Sequence, residues 1–434
     1  MLDFRTKNMN RLNVWRQLAY AREWTFKGIF AVIDQALFSG SNFIVNILLA
    51  RWLPPEEYGA FVVALSVFYL LAGFHTAVLT EPMMVFGAGK YREQFQKYFG
   101  MVIWGHWGLS IIIALGLGVT AWVFSRAGSA TIADSLFGLA IASPFLLLIW
   151  LTRRACYAQL HLHPALAVVG SGLNLLIILV GSFFLWCEGI ISPFSGFLLL
   201  GAAGGLGSLP ILGRLKPQVT GYVRNPTPSM VFTDHWGYGR WIMLEGIFYS
   251  LSAQLWLILV PVFLGLRVSA ALAAIWNLYR PVSLFMQAIG LILLPTFANW
   301  NRRMQKNEFR IRTLKIAILF ACAVGLYGFI LTIIAEPFLH FLYHGKYDQY
   351  QILVPLYGAA TTFVVLVQNF IVAIKASMMV SRLFIIWGVA AATCVFVSVP
   401  LMLILGATGA VTGYLLGYAL ASVVAYRMLG SISS

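Results

Sequence analysis

At 434 residues the chain is long enough for two or three water-soluble domains, yet 60% of it is apolar and only 10% is charged. A soluble surface needs roughly a quarter of its residues charged, so this surface must face something other than water. The net charge of +15, from 29 Lys and Arg against 14 Asp and Glu, would suggest nucleic acid in a soluble protein; in an apolar one it asks whether the bases sort to one side of a membrane.

Residues 1–27 form a polar, basic arm with Arg5, Lys7, Arg11, Arg16, Arg22 and Lys27, and show no short apolar core or cleavage site of a signal peptide. Leu12, Trp15, Leu18 and Ala19 recur at helical spacing among these bases, so the arm reads as an amphipathic helix on the inner leaflet or as a solvated tail. Hydrocarbon about 30 Å thick requires about 20 apolar residues per helix. On that ruler twelve spans follow, at 28–50, 60–80, 101–124, 132–152, 164–186, 192–212, 241–264, 269–295, 314–334, 351–374, 383–405 and 407–426. Their apolar runs are continuous rather than alternating, which predicts helices and argues against an outer-membrane barrel.

With the N-terminus in the cytoplasm, 24 of the 29 bases fall on the cytoplasmic side, Arg153 and Arg154 among them. Four lie outside (Arg51, Arg126, Arg267 and Lys346), and Arg280 lies within a span. The positive-inside rule therefore places both termini in the cytoplasm. Residues 213–240 form the longest cytoplasmic loop, a linker carrying the run Asn225-Pro226-Thr227-Pro228, and divide the spans six and six, into 28–212 and 241–434. Sliding the second half by 211 residues aligns Asp34 with Glu245, Ser39 with Ser250 and Ser41 with Ser252. Six spans per half start both repeats on the same side, so the expected fold is all-α, with about twelve transmembrane helices in two parallel bundles.

An ionisable group in hydrocarbon is costly and needs a reason. Asp34, Glu245 and Arg280 qualify, and Glu81, before Pro82 at the end of span two, is an interfacial candidate for gating. Gln35, Ser39, Asn42 and Asn46 form one polar stripe on span one; Glu245, Tyr249 and Ser252 form another on span seven, and Trp276, Arg280, Ser283 and Gln287 a third on span eight. With Ser66, Tyr69, Thr76 and Thr80 on span two, these stripes imply a hydrated cavity between the halves. The plainer alternative is interhelical hydrogen bonding that holds a bundle together. Arg280, near the middle of its span, can hold a phosphate bidentately or pair with Glu245. Gln35, Asn42, Asn46, Tyr249, Trp276 and Gln287 are the accompanying candidates for substrate contact. Asp34 and Glu245 are candidates to bind a coupling proton or sodium ion.

The remaining features carry less. Gly409, Gly413 and Gly417, and the group Gly204, Gly205 and Gly207, read as close helix packing or as hinges. Glu336, His340, His344 and Asp348 share the longest external loop at spacings a metal could use, and a wet loop accommodates all four without one. Cys156, Cys187, Cys322 and Cys394 are scattered singly, as small apolar residues rather than a disulfide frame. With no Walker loop, Rossmann fingerprint, HExxH or GxSxG, neither ATP hydrolysis by this chain nor another enzymatic activity is expected. No cofactor is expected beyond a coupling ion, and no nucleic acid.

The stretch Asp34-Gln35-Ala36-Leu37-Phe38-Ser39-Gly40-Ser41-Asn42-Phe43, followed by Leu48-Leu49-Ala50-Arg51-Trp52-Leu53-Pro54-Pro55-Glu56-Glu57-Tyr58-Gly59-Ala60-Phe61, resembles the N-terminal signature of the polysaccharide and O-antigen flippases. These belong to the multidrug/oligosaccharidyl-lipid/polysaccharide (MOP) superfamily; Glu81-Pro82-Met83 is similar to one subset. The motif covers about the first hundred residues. The resemblance implies a V-shaped pair of bundles in the bacterial cytoplasmic (inner) membrane that rock between inward- and outward-open states. It also implies an undecaprenyl-pyrophosphate-linked glycan, a precursor of lipopolysaccharide or exopolysaccharide, moved to the periplasmic leaflet with proton or sodium coupling. Membrane lipids, a polysaccharide polymerase and glycosyltransferases are the partners it suggests. Two rivals remain: a cation-coupled drug antiporter of the same superfamily, and a membrane polymerase or ligase, for which the external loops are short.

Overall fold

The computed structural model describes residues 28–158, 164–218, 226–377, 379 and 382–430; the basic arm 1–27 lies outside the described residues. Among the described residues eleven helices are long and apolar enough to cross a membrane, or twelve with one bent pair counted as a single span. They are α1 (Gly28–Trp52), α2 (Pro55–Ala88), α3 (Phe95–Arg126), α4 (Ala130–Ala158), α5 (Pro164–Cys187) and α6 (Pro193–Leu215), then α7 (Pro228–Leu264), α8 (Leu266–Arg303), α9 (Lys306–Ile333), α10 (Leu353–Ala376), α11 (Leu383–Leu405) and α12 (Ala407–Gly430). α8 is the bent pair, turning by 47° between Leu266–Gln287 and Ile292–Arg303, with Pro281 and Pro295 inside it to remove backbone donors and loosen the ladder.

Helix starts follow local chemistry. Pro55 and Pro193 occupy first-turn positions where a missing N–H costs nothing, and Ser192 and Ser195 close a reciprocal capping box on α6. Thr227 caps α7 by accepting from the Met230 amide at 3.3 Å. Within the expected linker 213–240, the stretch from Pro228 onward is helix and runs without a break into the seventh span. Two spans contain a π-helical turn, Thr76–Thr80 in α2 and Cys394–Ser398 in α11.

Each half is built around its fourth helix. α4 packs on α3 and α6 in the first half, and α10 packs on α8, α9 and α12 in the second; these are the two most buried spans. The halves meet where α2 packs against α7 and α8. Outward faces are apolar, with Trp104, Ile112, Leu115 and Trp122 of α3 and Val180 and Phe183 of α5 more than half exposed, the composition a hydrocarbon-facing surface requires.

Close backbone approach accounts for the glycine groups. A Cβ on Gly409 would overlap the Leu401 carbonyl, and one on Gly413 would overlap Ser398, both on α11. One on Gly204 would lie 2.7 Å from the Phe145 oxygen and one on Gly207 2.9 Å from the Gly170 oxygen. Both groups are packing surfaces.

Candidate functional site

Between the halves lies a cavity of about 910 Å³, walled by α1, α2, α7 and α8 with the ends of α10 and α11. It opens where α1 and α7 begin and α2 and α8 end, the side holding most of the basic segments. The cavity gathers nearly all the residues expected from the sequence: Gln35, Asn42, Glu81, Glu245, Tyr249, Trp276, Arg280 and Gln287 line it. Asn46 lines an adjoining chamber of about 140 Å³ that shares Arg280, Trp276 and Tyr249 with the main cavity.

The polar stripes are organised within helices more than between them. Asn42 donates to the Phe38 carbonyl at 3.1 Å, Asn46 to the Asn42 carbonyl at 2.8 Å and Ser66 to the Val62 carbonyl at 2.9 Å. This back-bonding engages the amide nitrogens of Asn42 and Asn46. One bond crosses the cavity: Gln35 donates to Gln287 at 3.0 Å while also donating to Ser39 at 2.8 Å.

Asp34 departs from the expectation. It is 1% exposed and does not line the cavity; it points into the first half, where Arg153 of α4 grips it through two 2.8 Å hydrogen bonds. The hydroxyls of Tyr157 and Ser171 donate to the same carboxylate at 2.7 and 2.5 Å, and the guanidinium lies 3.8 Å from the centre of the Phe38 ring. Arg153 is therefore not a loop base, as the charge count had it, but a buried counter-ion; without it 23 bases remain in the segments assigned to the cytoplasmic side against four assigned outside. The second half carries the related pair Glu245–Lys375, between its own first and fourth helices, at 3.6 Å and partly exposed. Glu245 thus faces Lys375, leaving Arg280 without an ion-pair partner among the described residues.

The chamber beside Arg280 is aromatic. Trp256 and Tyr414 meet at a tilt with ring centres 5.1 Å apart, Tyr414 and Tyr418 likewise at 4.7 Å, and Tyr249 and Trp387 edge to face at 4.9 Å; Gln254 and Gln368 add to its polar lining. Sequence reading missed Trp256, Trp387, Tyr414 and Tyr418. The one available signal was spacing, since Tyr249–Trp256 and Tyr414–Tyr418 are separated by seven and four residues on one helix face.

On the opposite side the halves are sealed. The same 211-residue shift that aligns the repeats carries Glu56 onto Arg267, and these two pair at 3.0 Å. Arg51 donates to His344 at 2.7 Å, and Lys346 caps the carbonyls of Arg51 and Leu53 at 2.7 and 2.8 Å. Buried Asn277 donates to Tyr58 at 3.0 Å, and Gly59 lies so close to α8 that a Cβ would overlap the Leu266 carbonyl oxygen. His340 pairs with Asp348 at 2.8 Å, so the histidines of this loop join separate contacts.

The described residues thus form two six-helix halves with a polar cavity open on one side and a seal on the other. No family model and no curated protein matches the sequence. Among solved structures, an inward-facing multidrug resistance MATE transporter of the MOP superfamily superposes with a TM-score of 0.73 at 13% identity, over 93% of this chain and 98% of that one. An outward-facing MATE transporter gives 0.62 at 15% identity, over 94% of each chain. The lipid II flippase MurJ, inward closed, gives 0.67 at 14%, over 96% of this chain and 88% of that one. The fold is that of the MOP-superfamily transporters.

Proposed function

We propose that this chain moves a lipid-linked glycan, of the undecaprenyl-pyrophosphate type, from the cytoplasmic to the periplasmic leaflet of a bacterial inner membrane by alternating access coupled to an ion. The cavity mouth is the cytoplasmic side and both termini lie there, on the distribution of basic residues. The observation that carries this reading is Arg280: it lines both the cavity and the aromatic chamber and has no carboxylate partner among the described residues. Both cavity-lining acids, Glu81 and Glu245, belong to the open end, with Glu245 facing Lys375. An anionic diphosphate entering headgroup-first passes these to a lone guanidinium suited to bidentate phosphate binding. The aromatic and amide walls beside it suit sugar faces and hydroxyls. Similarity to a lipid flippase and to drug transporters establishes only the shared fold; the placement of charge favours an anion.

A drug or organic-cation antiporter is the competing reading, supported by Glu81 and the loosely held Glu245. Reconstituted vesicles separate the two. Lipid-linked sugar becoming periodate-accessible on the far leaflet supports the flippase, with Arg280→Ala slowing it at least about tenfold, the loss of a charged hydrogen bond, and Arg280→Lys less. Ion-driven efflux of organic cations without glycan movement, or unchanged glycan transport by both Arg280 variants at normal expression, refutes it.

A further inference from the structure

Inside the first half, on the side of α2 turned away from the cavity, two histidines face each other. His75 Nε2 of α2 and His106 Nδ1 of α3 are 3.0 Å apart, and both residues are 0% exposed. One ring must donate and the other accept across this contact, since two N–H groups would clash and two lone pairs would repel. The outer nitrogens, His75 Nδ1 and His106 Nε2, have no hydrogen-bond partner. No carboxylate, lysine or arginine among the described residues acts on either ring; the ionisable partner of His75 is His106. From α4 the Pro144 carbonyl faces His106 outside hydrogen-bonding geometry. A buried polar pair with two idle nitrogens is costly as mere structure, and histidine is the side chain suited to taking up and releasing a proton near neutral pH.

The pair also occupies the point where α2 changes. His75 is the last residue of the regular helix, and the π-helical turn Thr76–Thr80 begins immediately after it; such turns recur at functional positions within helices. On the far face of this junction Gly73, Thr76 and Ala77 line the cavity. Here α2 is pressed against α7, for a Cβ on Gly73 would lie 2.9 Å from Ser250 Oγ and one on Gly239 2.6 Å from the Ala77 oxygen. A change at the histidines therefore reaches the contact between halves through one helix.

We infer that the His75–His106 pair is a proton-binding site that links proton uptake to the rearrangement of α2 between the two access states. In the state described here the pair is sealed, with no counter-charge, so a histidinium is disfavoured. Added protons therefore populate the alternative state, in which α2 lets the charged pair be solvated or bonded. One linked proton shifts this equilibrium by at most about tenfold per pH unit. The inference rests on the ion-coupled part of the transport reading and supplies its ion.

The test needs no glycan, which keeps its failure distinct from failure of the flippase assignment. Spin labels at Ala88→Cys, the last residue of α2, and Gln305→Cys, just after α8, both exposed and one in each half, report the separation of the halves at the end where α2 and α8 finish, with the exposed Cys187 and Cys322 replaced by serine. Acidification from pH 8 to pH 5 in lipid nanodiscs shortens the distance in the parent and leaves it unchanged in His75→Gln/His106→Gln, which retains polar side chains without the titration. Should the double variant not fold, His106→Asn alone breaks the pair and should respond to pH less than the parent. A parent distribution that ignores pH, or a variant that follows the parent's pH dependence, overturns the proposal.

Discussion

Replacing Arg153 by methionine removes the guanidinium and keeps most of its length and volume. Asp34 retains the hydroxyl donors of Tyr157 and Ser171 but loses both 2.8 Å bonds from its counter-ion, in a site where the carboxylate is 1% exposed. Those hydroxyls already bond in the parent, so they cannot make up the difference. Stranding one member of a buried ion pair costs about 3–5 kcal/mol, which lowers Tm by on the order of 5 °C or more. Removing both charges, in Asp34→Asn/Arg153→Met, relieves the stranded carboxylate and recovers most of that loss. Thermal unfolding followed by tryptophan fluorescence on purified protein in one detergent, at fixed protein concentration, provides the four corners of the cycle. A single Arg153→Met within about 1 °C of the parent, or a double variant as unstable as the sum of its singles, would refute the view that this pair holds α1 to α4.

The seal and the α7 latch give two further expectations. Gly59→Val places side-chain atoms where the Leu266 carbonyl lies and prevents closure of the seal; a short bis-methanethiosulfonate reagent joins Glu56→Cys to Arg267→Cys in the parent background and fails to do so in the Gly59→Val background. Equal cross-linking refutes this. At the opposite end α7 is latched to α2 and α3 by His235: the Tyr98 hydroxyl meets His235 Nε2 at 2.7 Å while His235 Nδ1 donates to the Val78 carbonyl at 3.0 Å, and burial lowers the His235 pKa from 6.5. Because the folded value is depressed, the latch is intact above pH 6.5 and weakens as pH falls from there through the folded value. Backbone exchange in Pro228–Arg240, corrected for intrinsic rates, should accelerate between pH 7.5 and pH 5.5 in the parent but not in His235→Gln. A pH dependence shared by both proteins removes His235 as its cause.

Helix number was legible because each span must satisfy its own backbone in hydrocarbon and therefore writes about 20 apolar residues into contiguous sequence. The cavity stripe was legible for the same local reason, since Gln35, Asn42 and Asn46 share a helix face. Arg153 was not. It closes the apolar run of α4 beside Arg154, the position of an interfacial base, and its partner Asp34 is 119 residues away, so only the packing of α1 on α4 reveals that it is buried. Glu245 misled similarly: Arg280 was the only base within a span, whereas Lys375, apparently in a loop, is the residue the fold delivers. His75 and His106 have unremarkable neighbours in sequence; their meaning lies in a 3.0 Å contact between two helices.

The two acid–base pairs occupy corresponding places, first helix to fourth helix in each half, yet differ in strength. Asp34–Arg153 is sealed and doubly bonded; Glu245–Lys375 is 3.6 Å apart with side chains 24% and 44% exposed. A screened pair of that kind contributes about 0–1 kcal/mol, so Lys375→Ala should leave Tm within about 2 °C of the parent while Arg153→Met does not. The contrast bears on movement. α1 is fixed to its bundle by a contact too costly to break in each cycle, whereas α7, which packs on α2 and lines the cavity, is held to α10 by one cheap to exchange. Rearrangement during transport should therefore concentrate in α7, and Lys375→Ala should change the rate of opening at the cavity mouth with little change in stability. A destabilisation by Lys375→Ala equal to that of Arg153→Met would show instead that both first helices are equally anchored, and that the halves move as rigid units.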